Sequence, residues 1–219
     1  MNGILQLIGF IMNSVGLICV LVTTFVPEWR RNDPAGEVLE SIVRHQGIWV
    51  RCIAYPTGQW QCDDYDAFFL GLPMQLQVAR GLSVTACILG FMGFIVSLVG
   101  MQCTNCFEGN PRMKARTSMV GAIAFGLSGI SIGAAVSFYA HQVLSEYNRD
   151  ILLFRDDIGQ RFIYGVCLFV GWASIAILVL GALVSGCGSL VDDEEDSVRR
   201  TPYMPTYNKG KNMANTEYV

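Results

Sequence analysis

Two cysteines in a polar part of the sequence are spaced for a disulfide. Cys52 and Cys62 flank the segment Tyr-Pro-Thr-Gly at 55–58. The proline fixes its own φ, and the glycine allows φ values that other residues rarely adopt. Short runs rich in Val, Ile, Trp and Tyr lie on either side, and the whole pattern is typical of a β-hairpin. The cysteines would then lie opposite each other, and a bridge would remove roughly 3 kcal/mol of unfolded-chain entropy. The alternative is a pair of free thiols, which we disfavour because a disulfide needs an oxidising side and the flanking chain supplies one.

Three acids, Asp63, Asp64 and Asp66, directly follow the second cysteine. Residues 28–79 as a whole carry seven acids against four arginines. Clustered carboxylates attract cations and repel anions, although salt screens the effect beyond about 8 Å. The hypothesis is a cation-attracting surface, and the alternative is an ordinary solvated loop.

Four long apolar runs, at 4–26, 81–102, 117–140 and 162–186, surround these residues. Only 15% of the residues are charged, whereas soluble domains carry about 25%. A helix of about 20 residues crosses the roughly 30 Å of a bilayer's hydrocarbon. The sequence therefore predicts four transmembrane helices, and without a concentrated basic face it excludes a general nucleic-acid binder.

Positive charge predicts the orientation of the spans. Arg112, Lys114 and Arg116 crowd the connector at 103–116, and the other two lysines, Lys209 and Lys211, follow the fourth run. Such residues favour the cytosolic side. We therefore expect residues 1–3, 103–116 and a disordered tail at 187–219 to be cytosolic, with residues 27–80 and 141–161 as two extracellular loops.

Three features within this frame leave alternatives. Gly129 and Gly133 allow close helix packing, either inside the monomer, which we favour, or in a dimer. Trp29 could anchor at the membrane interface or pack under a sheet. Residues 65–76 are too apolar for a bare loop and predict a short helix ending near Pro73.

The remaining cysteines and the histidines provide little for catalysis. Cys103, Cys106 and Cys187 lie at the predicted cytosolic membrane edge, where reversible palmitoylation is favoured over unmodified thiols. The cytosolic segments have no histidine to complete a zinc site. His45 and His141 are the two histidines of the chain, and no nucleophile-elbow or phosphate-loop pattern occurs. We expect neither a cofactor nor an enzyme.

The whole chain resembles the claudins, the four-span proteins of tight junctions. Their signature of a tryptophan, then Gly-Leu-Trp and two cysteines reads here as Trp29, Gly47-Ile48-Trp49, Cys52 and Cys62. Further matches are Arg80 at the end of the first loop, Gly171-Trp172 in the fourth span and Tyr218-Val219 at the end of the tail.

The resemblance implies a left-handed four-helix bundle carrying a small extracellular antiparallel β-sheet. It also implies a plasma-membrane protein of tight junctions that polymerises with claudins of the same and the apposed cell and controls ion passage between cells. The residues that it singles out are Asp63, Asp64 and Asp66 for the pore wall, Phe68, Phe69 and Tyr147 for contacts between claudins, and Tyr218 and Val219 for PDZ domains of zonula occludens scaffolds.

A second function remains open, since the myelin and epithelial membrane proteins and the calcium-channel gamma subunits share the tryptophan and cysteine pattern. That alternative would make the chain an accessory or trafficking subunit. Two features favour the claudin interpretation. The chain lacks the N-glycosylation sequon that the myelin relatives usually carry, and its long tail ends in Tyr-Val.

Overall fold

The computed structural model describes residues 2–32, 42–65, 71–101, 111–153 and 162–200. Its helices are α1 (Asn2–Phe25), α2 (Met74–Gly100), α3 (Pro111–Leu153) and α4 (Val166–Arg200). Its strands are β1 (Arg30–Asn32), β2 (Val43–Gln46), β3 (Val50–Ala54), β4 (Trp60–Asp64) and β5 (Phe162–Tyr164).

Each of the four helices contains a segment long and apolar enough to cross a membrane. Together with the small antiparallel sheet, this confirms the predicted fold class of a membrane helical bundle. The bundle is closely packed by small residues. A Cβ on Gly133 would lie 2.6 Å from Ile175, and one on Gly129 would lie 3.1 Å from Leu178. Both glycines therefore pack α3 against α4 within one chain.

The helices extend past the apolar runs that predicted them. Helix α2 begins at Met74, inside the predicted first loop, and α3 continues through the predicted second loop as far as Leu153. Helix α4 continues to Arg200, past residue 187 where the predicted tail begins. A hydropathy run marks the part of a helix suited to lipid, whereas polar residues continue a helix in water.

The predicted short helix ending near Pro73 falls mostly on residues 66–70, which lie outside the described chain, and Gly71 has 3₁₀-helical backbone. Pro73 then precedes α2. The Pro73 carbonyl accepts the backbone N–H of Leu76 at 2.9 Å. Proline suits a helix start because the first turn leaves its N–H groups without intrahelical partners.

The five strands form one sheet in the order β4-β3-β2-β1-β5, with every neighbouring pair antiparallel. The predicted hairpin is confirmed as β3 and β4. Its turn is closed by the Gly58 N–H on the Tyr55 carbonyl at 2.9 Å. Gly58 has φ +79°, a left-handed conformation that glycine adopts without a Cβ penalty.

The sheet joins the bundle along a close backbone contact between residues 28–29, just before β1, and the start of α4. The N–H of Gly165 donates to the Trp29 carbonyl at 2.9 Å, and that of Cys167 donates to the Glu28 carbonyl at 3.0 Å. A Cβ on Gly165 would collide with the Glu28 carbonyl oxygen. Glycine at 165 is therefore required for this approach.

Candidate functional site

Trp29 and Ile48, two of the signature residues, are fully buried between the sheet and the helices. The Trp29 Nε1–H donates to the Thr23 carbonyl at 2.7 Å, and the indole packs edge-on against Tyr139 with ring centroids 5.1 Å apart. Trp29 thus packs under the sheet instead of anchoring at an interface. Gly47 fits against Pro27, whose Cα would lie 2.5 Å from an added Cβ.

Arg80 holds the segment that carries the Gly-Ile-Trp residues. Its Nε donates to the Ile48 carbonyl at 2.6 Å, and its guanidinium lies over the rings of Trp49 at 5.1 Å and Tyr65 at 5.5 Å. The Tyr65 hydroxyl donates to the Gly47 carbonyl at 3.0 Å. Burial raises the pKa of Tyr65, partly offset by the positive charges of Arg30, Arg51 and Arg80.

The disulfide between Cys52 and Cys62 is formed, so the alternative of free thiols is wrong. The two cysteines are directly opposed in the pairing of β3 with β4. The bridge therefore fixes the register of the hairpin, and with it the face on which each later residue of β4 lies.

A polar cavity of about 380 Å³ lies on one face of the sheet. Its lining residues are Arg44, His45, Gln46, Arg51, Cys52, Ile53 and Asp63. Asp63 is paired across the strands with Arg51. Among the described residues, this cavity therefore brings one of the predicted pore acids together with two arginines.

Asp64 lies on the other face. Successive side chains of a strand point to opposite faces, so Asp64 shares its face with Cys62 and Trp60, and Asp63 does not. Both acids are exposed. The structure thus separates two residues that were predicted to act together, and the third, Asp66, lies outside the described residues.

His45 was named in the sequence only as one of two histidines, yet it has specific contacts. It lies opposite Cys52 in the sheet, its ring stacks on Trp60 with centroids 4.9 Å apart, and its Nδ1 is 3.3 Å from a carboxylate oxygen of Glu28. If the register between β2 and β3 had been known, the alternation of side chains along β2 would have placed His45 beside the disulfide.

An apolar cavity of about 170 Å³ lies between α3 and β5. Its lining residues are Val143, Leu144, Tyr147, Phe162, Ile163 and Tyr164. Tyr147, a predicted contact residue, is therefore part of a recess. Phe68 and Phe69 lie outside the described residues.

A polar network missed by the sequence analysis ties the sheet to two helices. The carboxylate of Glu146 on α3 accepts hydrogen bonds from Arg30 on β1 at 3.0 Å and from Gln75 on α2 at 2.9 Å. The two charged partners are separated by 116 positions in the sequence. No local pattern could have paired them.

The remaining predicted sites fall mostly beyond the described chain. Cys187 is an exposed free thiol on α4, whereas Cys103, Cys106, Tyr218 and Val219 lie outside the described residues. Within residues 2–32, 42–65, 71–101, 111–153 and 162–200, no three His, Cys, Asp or Glu side chains are grouped to hold a metal ion.

Comparison with known proteins identifies the family. The model of the PMP-22/EMP/MP20/Claudin family matches residues 3–184. Claudin-19 of Homo sapiens is 34% identical over 93% of this chain and 89% of its own length. Claudin-7 of Mus musculus is 30% identical over 100% and 99%, and claudin-1 of Mus musculus is 31% identical over 96% and 98%. With its four apolar helices and its disulfide-closed sheet, the chain belongs to the claudin family.

Proposed function

We propose that this chain is a tight-junction protein that polymerises into strands and controls the passage of ions between cells. Its family and its four apolar helices support a multi-pass protein of the plasma membrane with a structural, non-enzymatic role. In this proposal both chain ends are cytosolic and the sheet faces the space between cells, because the basic connector at 103–116 favours the cytosolic side.

The observation that carries the proposal is the position of Asp63. It lines the polar cavity, it lies on the face of β4 opposite to that of Cys62, and it is exposed. In a passage lined by this face, Asp63 would supply a charge that attracts cations and opposes the two arginines of the same cavity. In water, a unit charge about 4 Å from an ion contributes about 1 kcal/mol, which is roughly a fivefold preference. Arg51, the cross-strand neighbour of Asp63, and Arg44, which lines the same cavity, both oppose that field, so we expect a modest selectivity.

The test is the ratio of sodium to chloride permeability, measured by dilution potential across an epithelial layer that expresses the chain. Asp63→Asn should lower the ratio by about two- to fivefold, as the Coulomb estimate gives. Asp64→Asn is the matched control, since it removes the same charge from the other face. Equal effects of both variants, or no effect of either, would refute the assignment of Asp63 to an ion passage.

We propose further that the apolar cavity receives an aromatic side chain of a neighbouring claudin in the same membrane. Phe68 or Phe69 of the neighbour is the proposed occupant, because the sequence predicts both to be exposed aromatic residues, and such residues usually mark an interface. Tyr147→Ala should shorten the strands seen by freeze-fracture in transfected fibroblasts. Asn148→Ala, a change at an exposed neighbour on the same helix, should leave them intact, and equal strands in both would contradict this contact.

Two cytosolic sites complete the proposal. Tyr218 and Val219 are proposed to bind a PDZ domain of a zonula occludens scaffold by adding a strand and burying the last side chain. A tail peptide lacking Val219 should then fail to bind, and undiminished binding would reject the site.

Palmitoylation is proposed at Cys103, Cys106 and Cys187. Hydroxylamine-sensitive labelling that survives substitution of all three would place the acyl groups elsewhere.

A further inference from the structure

Glu146 uses both of its carboxylate oxygens to join separate parts of the molecule. Oε2 accepts from Nη1 of Arg30 at 3.0 Å, and Oε1 accepts from Nε2 of Gln75 at 2.9 Å. The side chains of Arg30 and Glu146 are 17% and 38% exposed, so the pair is shielded from salt mainly on the side of the arginine. One carboxylate on α3 therefore connects the sheet, through β1, with the first turn of α2.

Arg30 extends this connection toward both cavities. Its Nε donates to Oε1 of Gln46 at 2.6 Å, and Gln46 lines the polar cavity beside Arg51. Its guanidinium also lies 4.7 Å from the ring centroid of Phe162, which lines the apolar cavity. Arg30 thus contacts one wall residue of each cavity.

We propose that Glu146 is a positioning residue. By holding Arg30, it fixes the positions of Gln46 and Phe162 relative to α3. As a result, the face of the sheet that carries Asp63 keeps a constant position relative to the apolar cavity. This rests on the proposed function, in which that face lines the ion passage. A neutral amide would hold Arg30 less strongly than the carboxylate does, because a guanidinium bonds most strongly to an ionised acceptor.

The first test asks whether the effect of Asp63 depends on Glu146. Glu146→Gln keeps the shape of the side chain and an oxygen for Gln75 but removes the charge. Asp63→Asn should lower the sodium-to-chloride ratio by about fivefold at most in the unmodified chain, as the single-charge estimate gives. In the Glu146→Gln background the effect should fall to less than half of that seen in the unmodified chain. The control is a chain that already carries Asp64→Asn. In it, Asp63→Asn should lower the sodium-to-chloride ratio as much as in the unmodified chain. An equal effect of Asp63→Asn in all three backgrounds overturns the proposal.

The second test does not depend on permeability. Hydrogen exchange of the purified full chain should become faster in Glu146→Gln for peptides that cover β1 and β5, while peptides that cover the disulfide-closed hairpin stay protected. Unchanged exchange at β1 and β5 overturns the positioning role. If Asp63→Asn is silent in the unmodified chain, the proposed ion passage loses its carboxylate, and this exchange measurement alone decides the role of Glu146.

Discussion

Replacing Arg80 with an uncharged residue should destabilise the packing of the sheet against the helices. Arg80 is 9% exposed, and its Nε donates to the Ile48 carbonyl at 2.6 Å. Hydrogen bonds from charged groups contribute about 1.5–3 kcal/mol, and each contact with an aromatic face adds about 0.5–2 kcal/mol. The cost of burying the guanidinium offsets part of this sum. Arg80→Met also leaves a carbonyl unpaired, so we expect a loss of about 2–4 kcal/mol in the free energy of unfolding.

The assay is urea unfolding of the purified chain in detergent, followed by tryptophan fluorescence, because Trp49 lies under the guanidinium. Arg31→Met is the control, since Arg31 is an exposed residue of β1. Arg80→Lys should fall between the two, because lysine keeps the charge but lacks the planar donor group. A free energy of unfolding for Arg80→Met within about 0.5 kcal/mol of the control, the range of ordinary surface changes, would refute this account of the signature segment.

Two further predictions concern the same end of the molecule. Because burial raises the folded-state pKa of Tyr65 above that of the unfolded chain, its contribution to stability is present below about pH 10 and is lost as the pH rises through the folded-state pKa. Thermal unfolding between pH 9 and pH 12 should therefore show a smaller alkaline loss in Tyr65→Phe, and an identical loss would reject the assignment. Gly165→Ala places a methyl group against the Glu28 carbonyl and should lower surface delivery, measured by biotinylation. Gly186→Ala, where an added Cβ meets no atom within 4 Å, should be delivered normally, and equal delivery of both would contradict the close contact.

The sequence predicts those parts of the fold that depend on local pattern. Apolar runs identify the four helices, and the Tyr-Pro-Thr-Gly segment at 55–58 identifies the hairpin, because both signals depend on neighbouring residues. The ends of α3 and α4 could not be predicted in this way. Beyond the bilayer, hydropathy no longer distinguishes a solvated helix from a loop.

The site was harder to predict, because it depends on register and on contacts distant in sequence. Asp63, Asp64 and Asp66 are close in the sequence and therefore predict one acidic cluster. The strand period of two nevertheless places Asp63 and Asp64 on opposite faces. Arg30 and Glu146 pair only after β1 and α3 have been brought together by the bundle. Residues of this kind become visible only when the register and the helix packing are known.

The most direct test of the central claim is a comparison of two lysine substitutions on β4. Gln61 shares the face of Asp63, since the two positions differ by one strand period, and Asp64 lies on the other face. All three positions are exposed. We predict that Gln61→Lys lowers the sodium-to-chloride permeability ratio and that Asp64→Lys leaves it unchanged, although the latter alters the charge by two units instead of one. A larger effect of Asp64→Lys would contradict the claim that the face carrying Asp63 lines the ion passage.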